Sequence, residues 1–210
     1  MRKQKVSSAV IRRLPRYFRH LTDLHFSGVV RISSSALGKS MNLTASQIRQ
    51  DLSCFGEFGQ QGYGYNVKSL RDEIAEILGM NQKHTAIILG VGNLGRALME
   101  NFHFDRVGFE LIAAFDTDSA LIGEQVSGIE VFSVEELDQY LTTHEVSVGI
   151  LTLPRAAAGP MSTQLVQAGV KGIWNFTNAE LDMVGSDVVV ENVHFSDSLL
   201  ALSYMISEGT

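Results

Sequence analysis

The stretch that most constrains this chain is residues 85–102. An apolar run, 86–89, enters the turn Gly90-Val91-Gly92-Asn93-Leu94-Gly95, and residues 96–102 then favour a helix. Strand, G-x-G-x-x-G and helix, in that order, form the first crossover of a parallel α/β sheet that accepts a dinucleotide. The glycines have separate tasks: Gly90 permits the tight turn, Gly92 lets a pyrophosphate approach the backbone, and Gly95 lets helix and strand pack closely. The N–H groups at the helix start, together with the dipole, favour a phosphate. A glycine-rich turn alone is equally an α/β turn without a ligand. What separates the two is the acid that follows. The next predicted strand, 109–115, ends in Asp116, 21 residues beyond Gly95, where a carboxylate can accept from the adenosine ribose hydroxyls.

The same alternation continues. Strands are expected at 85–89, 109–115, 129–132, 146–151, 172–175 and 188–190, with helices at 96–102, 134–141 (capped by Ser133) and 161–168. This predicts a Rossmann-type parallel sheet over residues 81–195. Thr152 follows the fourth strand on the rim that carries Gly90 and Gly95, where ligands bind in such sheets. Residues 196–207 close the chain with Leu199, Leu200, Leu202, Tyr204, Met205 and Ile206 on nearly every side of a helix. A helix apolar all round is buried all round, and little chain is left to cover this one. Residues 196–210 are therefore expected to be a dimerisation helix covered by a second subunit.

The first 80 residues differ in charge. They hold 12 Lys and Arg against 6 Asp and Glu, a net of +6, while residues 81–210 hold 5 against 17, a net of −12. Such asymmetry suggests a basic module that meets a polyanion. Among residues 1–50 the one acid is Asp23, which disfavours an ordinary solvated face. A helix is expected over 8–25, capped by Ser7 or Ser8, with Val10, Leu14, Tyr17, Phe18, Leu21 and Leu24 inward. Pro15 should kink or divide it. A short strand at 29–32, a helix at 35–41, a turn, and a Thr44-capped helix at 45–55 make a helix-turn-helix.

On that last helix Ser46, Gln47, Arg49 and Gln50 lie off the apolar face, and such side chains read base edges in a major groove. On the first helix Arg12, Arg13, Arg16 and Arg19 fall largely off the apolar stripe and are ordinary solvated charges or, as a basic module favours, phosphate contacts, Arg12 and Arg16 foremost. Residues 55–67 carry four glycines between aromatics and suggest a β-hairpin. It is either a wing that lays Tyr63 and Tyr65 on DNA or a purely structural hairpin. A helix over 67–78, ended by Gly79, leads to a linker at 80–84. The fold class expected is thus α/β, with an N-terminal winged helix-turn-helix over residues 1–80.

Composition excludes several classes. No apolar stretch approaches the roughly 18 residues of a membrane helix, and Arg12 and Arg13 interrupt any signal-peptide core, so a cytoplasmic location is expected. The single Cys, Cys54, rules out an intrachain disulfide. It is a thiol switch or, as lone cysteines commonly are, a small buried hydrophobe. The six His residues have no metal-ligand spacing, and no metal is expected.

Over almost its full length the chain resembles the Rex family of redox-sensing transcriptional repressors. The resemblance is carried by Arg12-Arg13-Leu14-Pro15, by Ile48-Arg49-Gln50-Asp51-Leu52 running into Phe55-Gly56-Glu57-Phe58-Gly59, and by Gly62-Tyr63-Gly64-Tyr65-Asn66-Val67. It continues through the glycine turn, Phe115-Asp116-Thr117-Asp118 with Ile122-Gly123, and Gly172-Ile173-Trp174-Asn175-Phe176. It implies a homodimer on operator DNA that binds NAD and NADH, exchanges its C-terminal helices, and is released from DNA by NADH. The family commonly has a basic residue where Gln50 and Gln61 stand, and often an Asp where His194 stands. It also implies that Phe195 packs by the nicotinamide, or lies in the dimer core.

Two other functions compete. A small NAD-dependent oxidoreductase lacks room for a substrate domain and shows no Tyr-x-x-x-Lys. A sugar-phosphate-sensing regulator conflicts with Asp116, whose charge suits a ribose diol and repels a phosphate.

Overall fold

Four side chains set where the first helices begin. Ser7, Ser33, Thr44 and Asn66 each accept a backbone N–H two or three positions into the helix that follows. The structure, a computed structural model, describes residues 6–59, 62–181 and 185–208. Contacts divide the chain into two units, Met1–Gln82 and Lys83–Thr210.

In the first unit, α1 (Ser8–Phe26) buries Val10, Leu14, Tyr17 and Leu21. Pro15 lies inside α1, so of the two outcomes expected, a kink or a division, the helix is not divided. The missing proline N–H would have bonded the carbonyl of Ile11, and Ile11 is half exposed, so water can take the donor's place. The strand β1 (Arg31–Ile32) precedes α2 (Ser34–Met41) and α3 (Ala45–Ser53).

The hairpin expected within 55–67 includes residues 60 and 61, which lie outside the described residues. Among the described residues, β2 (Tyr65–Asn66) pairs with β1, Arg31 opposite Asn66 and Ile32 opposite Tyr65. Gly64 allows this return. Its φ is +68°, and a Cβ there would lie 2.5 Å from the Ile32 carbonyl oxygen. Gln61 lies outside the described residues. The unit closes with α4 (Val67–Ile77), and Leu14, Tyr17, Leu37, Ile48, Leu52, Tyr65, Leu70 and Ile74 share one core.

The second unit contains β3 (His84–Leu89), α5 (Asn93–Asn101), β4 (Phe109–Asp116), β5 (Gln125–Val126), β6 (Ile129–Ser133), α6 (Leu137–Thr143), β7 (Val148–Leu151), α7 (Arg155–Gln167), β8 (Gly172–Asn175), β9 (Val189–Asn192) and α8 (Phe195–Glu208). The strand order is β5-β6-β4-β3-β7-β8-β9, parallel except for the β5–β6 edge pair. Without β5, this is the Rossmann order, and the chain reverses direction across the sheet between β3 and β7. The edge strand β5 was not expected from the sequence. Nor was the early start of α7, which runs through Pro160.

The last helix is as apolar as expected but not covered within one chain. No residue of α8 is buried, and Leu199, Leu200, Leu202, Tyr204, Met205 and Ile206 are 51–67% exposed.

Candidate functional site

The helix α3 is held from below by a buried acid. Asp51 is fully buried. Its Oδ2 accepts from Arg13 Nε at 2.6 Å and from the Tyr17 hydroxyl at 2.8 Å, and its Oδ1 accepts from Arg13 Nη2 and Gln47 Nε2, each at 2.8 Å. Burial pushes the Asp51 carboxyl up, but the hydrogen bonds from Arg13, Tyr17 and Gln47 outweigh it and hold it below its ordinary value. The Asp51 hydrogen bond raises the Arg13 guanidinium, and burial with the same acid raises Tyr17. This cluster ties α3 to α1 and was not found from the sequence. Arg13 was expected among the phosphate contacts, but its guanidinium is held by Asp51, and nothing in either local pattern signals their pairing 38 residues apart.

Of the candidate base readers on α3, Ser46, Arg49 and Gln50 are exposed together on one face. Gln47 is half-buried, and its Nε2 donates to Asp51 Oδ1, which leaves its second N–H and its carbonyl oxygen unused by that contact. Arg49 Nη1 donates to Ser34 Oγ at 3.0 Å, which fixes the side chain while leaving most of its five donors available. The turn before α3 needs Gly38, a requirement the sequence did not announce. A Cβ there would lie 2.6 Å from the Leu43 carbonyl oxygen, and Asn42 supplies the left-handed residue that ends α2.

The wing aromatics separate. Tyr63 is 68% exposed with the Arg31 guanidinium 5.9 Å from its ring centre, while Tyr65, expected beside it on the surface, is buried in the core. Its place opposite Ile32 in the β1–β2 pair turns the ring inward. Arg12 and Arg16 lie exposed on α1, and Arg16 Nη2 also donates to the Met41 carbonyl at 3.2 Å. Cys54 is exposed rather than buried, with its Sγ 3.4 Å from the Gln50 carbonyl oxygen.

In the second unit the glycine turn joins β3 to α5 beside β7, at the point where the strand order reverses. The three glycines differ as their tasks require. Gly90 has φ +98°, and a Cβ on it would strike Thr152 backbone at 2.7 Å. A Cβ on Gly95 would collide with the Gly90 carbonyl. A Cβ on Gly92 would meet nothing within 4 Å, so that face of the turn is open. Gly92 is also the N-cap of α5 and brings no side-chain cap, so the first-turn N–H groups are left for an anion. Asn93 is exposed and Leu94 half-buried there.

Asp116 sits at the carboxyl end of β4, against this turn. Its Oδ2 accepts from Val91 N at 2.6 Å, and its Oδ1 from Thr117 N at 2.7 Å and Asp118 N at 2.9 Å. Oδ1 thus has both its acceptor sites filled, and Oδ2 retains one for a ribose hydroxyl. Two sequence candidates change role. The Val91 side chain is buried and its N–H is spent on Asp116. The Thr152 hydroxyl contacts the Gly90 and Leu89 carbonyl oxygens, at 2.6 and 3.1 Å, and braces the turn from β7. Both side chains thereby help shape the turn.

A polar cluster beyond β8 roots α8. The buried Asn175 donates to Ala179 O and Asn192 Oδ1 and accepts from Thr177. His194 Nε2 lies 2.9 Å from Glu180 Oε1, close enough for an ion pair when protonated but poorly aligned as a hydrogen bond. Phe195 is 62% exposed, its ring 6.1 Å from that of Phe176.

A family model described as "CoA binding domain" matches residues 81–179, and one described as "Putative DNA-binding protein N-terminus" matches residues 5–53. The redox-sensing transcriptional repressor Rex of Clostridium botulinum (strain Hall) is 48% identical over 207 residues, 99% of this chain and 98% of its own length. That of Clostridium beijerinckii is 46% identical over 210 residues, 100% of this chain and 99% of its own length. The crystal structure of RSP in complex with beta-NAD+ and operator DNA superposes with a TM-score of 0.91 at 46% identity, covering 98% of this chain and 94% of that one. The structure of RSP in complex with beta-NADH gives 0.91 at 43% identity, covering 98% and 96%. With relatives this similar over nearly every residue, the chain belongs to the Rex family of redox-sensing transcriptional repressors.

Proposed function

We infer that this protein is a DNA-binding transcriptional repressor that senses the NADH/NAD balance and leaves its operator when NADH binds. It is a regulator and not a dehydrogenase. The observation that carries this is the pairing of two devices in one chain. One is an anchored helix-turn-helix with an exposed Ser46–Arg49–Gln50 face; the other is a glycine turn whose open Gly92 and adjoining Asp116 suit a dinucleotide. RSP, the similar protein, is seen with beta-NAD+ and operator DNA, and with beta-NADH.

The residues divide the work. Arg49, Ser46 and Gln50 read bases, and Arg12, Arg16 and Tyr63 hold the backbone. Gly90, Gly92 and Gly95 admit the pyrophosphate to the α5 N-terminus, where the Asn93 and Leu94 N–H groups face it, and Asp116 holds the ribose. The nicotinamide is neutral in NADH and positively charged in NAD, and an apolar site near Phe195 favours the neutral ring, because burying an unpaired charge is costly. The protein works as a cytoplasmic homodimer, with α8 packed on a second subunit. The exposed apolar surface of α8 supports this, since a large apolar patch rarely stays in water. The test is operator affinity measured against NADH at constant NAD. Affinity should fall as NADH rises, and a flat response would reject the function.

A further inference from the structure

The α1 helix carries Arg12, Arg16 and Arg19 at positions i, i+4 and i+7, so the three share one face. Below Arg16 the chain forms a small cavity lined by Arg16, Arg19, His20, Asp23, Ser40 and Met41. We propose that this cavity is a second anion site of the DNA-binding unit, which receives a backbone phosphodiester of the operator beside the bases read by α3.

Four observations carry the assignment. First, the charge is unbalanced, with two guanidinium groups and an imidazole facing one carboxylate. Second, Arg19 is uncommitted. It stands at i and Asp23 at i+4, a spacing that favours an ion pair, yet among the described residues its guanidinium makes no hydrogen bond or ion pair. Third, the other basic groups are fixed in place. Arg16 Nη2 donates to Met41 O at 3.2 Å. Ser40 Oγ lies 2.9 Å from Leu37 O and 2.7 Å from His20 Nε2, which fixes the imidazole at the cavity wall. Fourth, the place is right. Met41 ends α2, and Thr44 three residues later caps α3. The N-terminal end of a recognition helix is the end that reads bases, and flanking phosphates pass close to it. The cavity, about 140 Å3, is well below the roughly 300–1,000 Å3 of small-molecule pockets, which suits one tetrahedral group.

The site presupposes the operator binding inferred above, so the experiment separates the two. Operator and scrambled duplexes are titrated with wild type, Arg19→Gln and His20→Gln over a range of salt. One lost phosphate contact lowers the salt slope by about 0.9, equivalent to about eightfold in affinity at ~0.1 M salt, and about sixtyfold for a dimer with two sites. Arg19→Gln should show this loss equally on both duplexes, and His20→Gln a smaller loss of the same kind. A second measurement locates the contact on the DNA. Methylphosphonate linkages placed one at a time along the operator should reveal a phosphate whose neutralisation weakens wild type but not Arg19→Gln.

An unchanged slope with Arg19→Gln, or a loss confined to the operator, would overturn the site while leaving operator recognition intact. Wild type that failed to prefer operator over scrambled DNA would overturn the repressor function, and the site with it. Inorganic phosphate at matched ionic strength should leave operator affinity unaltered. Competition that Arg19→Gln abolished would make free phosphate the occupant and overturn the assignment.

Discussion

Replacing Asp51 with alanine should loosen the recognition helix without touching its DNA-facing surface. The carboxylate takes four hydrogen bonds, two from Arg13 and one each from Tyr17 and Gln47. Breaking a buried ion pair by removing one partner costs about 3–5 kcal/mol. The Arg13 side chain is 24% exposed and recovers some hydration, which favours the lower part of that range. The Tyr17 hydroxyl is fully buried and does not; an unsatisfied buried donor costs about 1–3 kcal/mol of that total. A loss of about 3–4 kcal/mol is therefore expected, a large share of a typical domain's ~5–15 kcal/mol.

The single Trp, Trp174, lies in the other unit, so its fluorescence is a poor probe here. Amide hydrogen exchange of α1 and α3 is the appropriate assay. Adding Arg13→Met should restore much of the loss, giving a coupling of about 2 kcal/mol, because no unpaired charge then remains. Losses below ~1 kcal/mol, or additive single and double variants, would refute the buried-tether argument. The pH dependence has a definite sign. The folded Asp51 carboxyl is held below its ordinary value, so its contribution is fully present above the unfolded value of ~3.9 and lost as pH falls through the folded one.

Three further outcomes are expected. Arg49→Ala should cost about 1–3 kcal/mol on the operator and relax preference at one base pair, whereas Arg12→Ala and Arg16→Ala should weaken all sequences alike with a shallower salt slope; equal losses for Arg49→Ala on every sequence would make it a phosphate contact. Asp116→Ala should weaken NADH binding by calorimetry and narrow the gap to NADPH, because no Arg follows it in Thr117-Asp118-Ser119 to welcome a 2′-phosphate; unaltered NADH affinity would remove it from the site. A chain that stops before Ser196 should sediment as a monomer and lose cooperative operator binding, and a truncated chain that still dimerised would exclude α8 as the interface.

Much of this architecture was legible because it is written in local signals. Ser7 and Thr44 cap helices at their expected places, and the apolar runs before Gly90 and Asp116 form adjacent parallel strands. What stayed hidden depends on contacts distant in sequence. Asp51 and Gln47 look like a solvated helical face until Arg13 and Tyr17 meet them. Tyr65 and Tyr63 are two residues apart in one glycine-rich loop, and only the pairing of β2 with β1 decides which faces water. Thr152 is polar and on the binding rim, yet the Gly90 carbonyl claims its hydroxyl. Asn175 shows no helical or strand periodicity that would mark it as the centre of the cluster below α8.

The central claim is that one protein couples NADH to DNA, and that coupling must be reciprocal. The direct measurement is NADH affinity by calorimetry with and without saturating operator duplex, set beside operator affinity with and without saturating NADH. The two fold-changes should be equal. If NADH lowers operator affinity tenfold, about 1.4 kcal/mol, operator should lower NADH affinity tenfold as well. NADH affinity that is unaltered by saturating operator would contradict the switch outright.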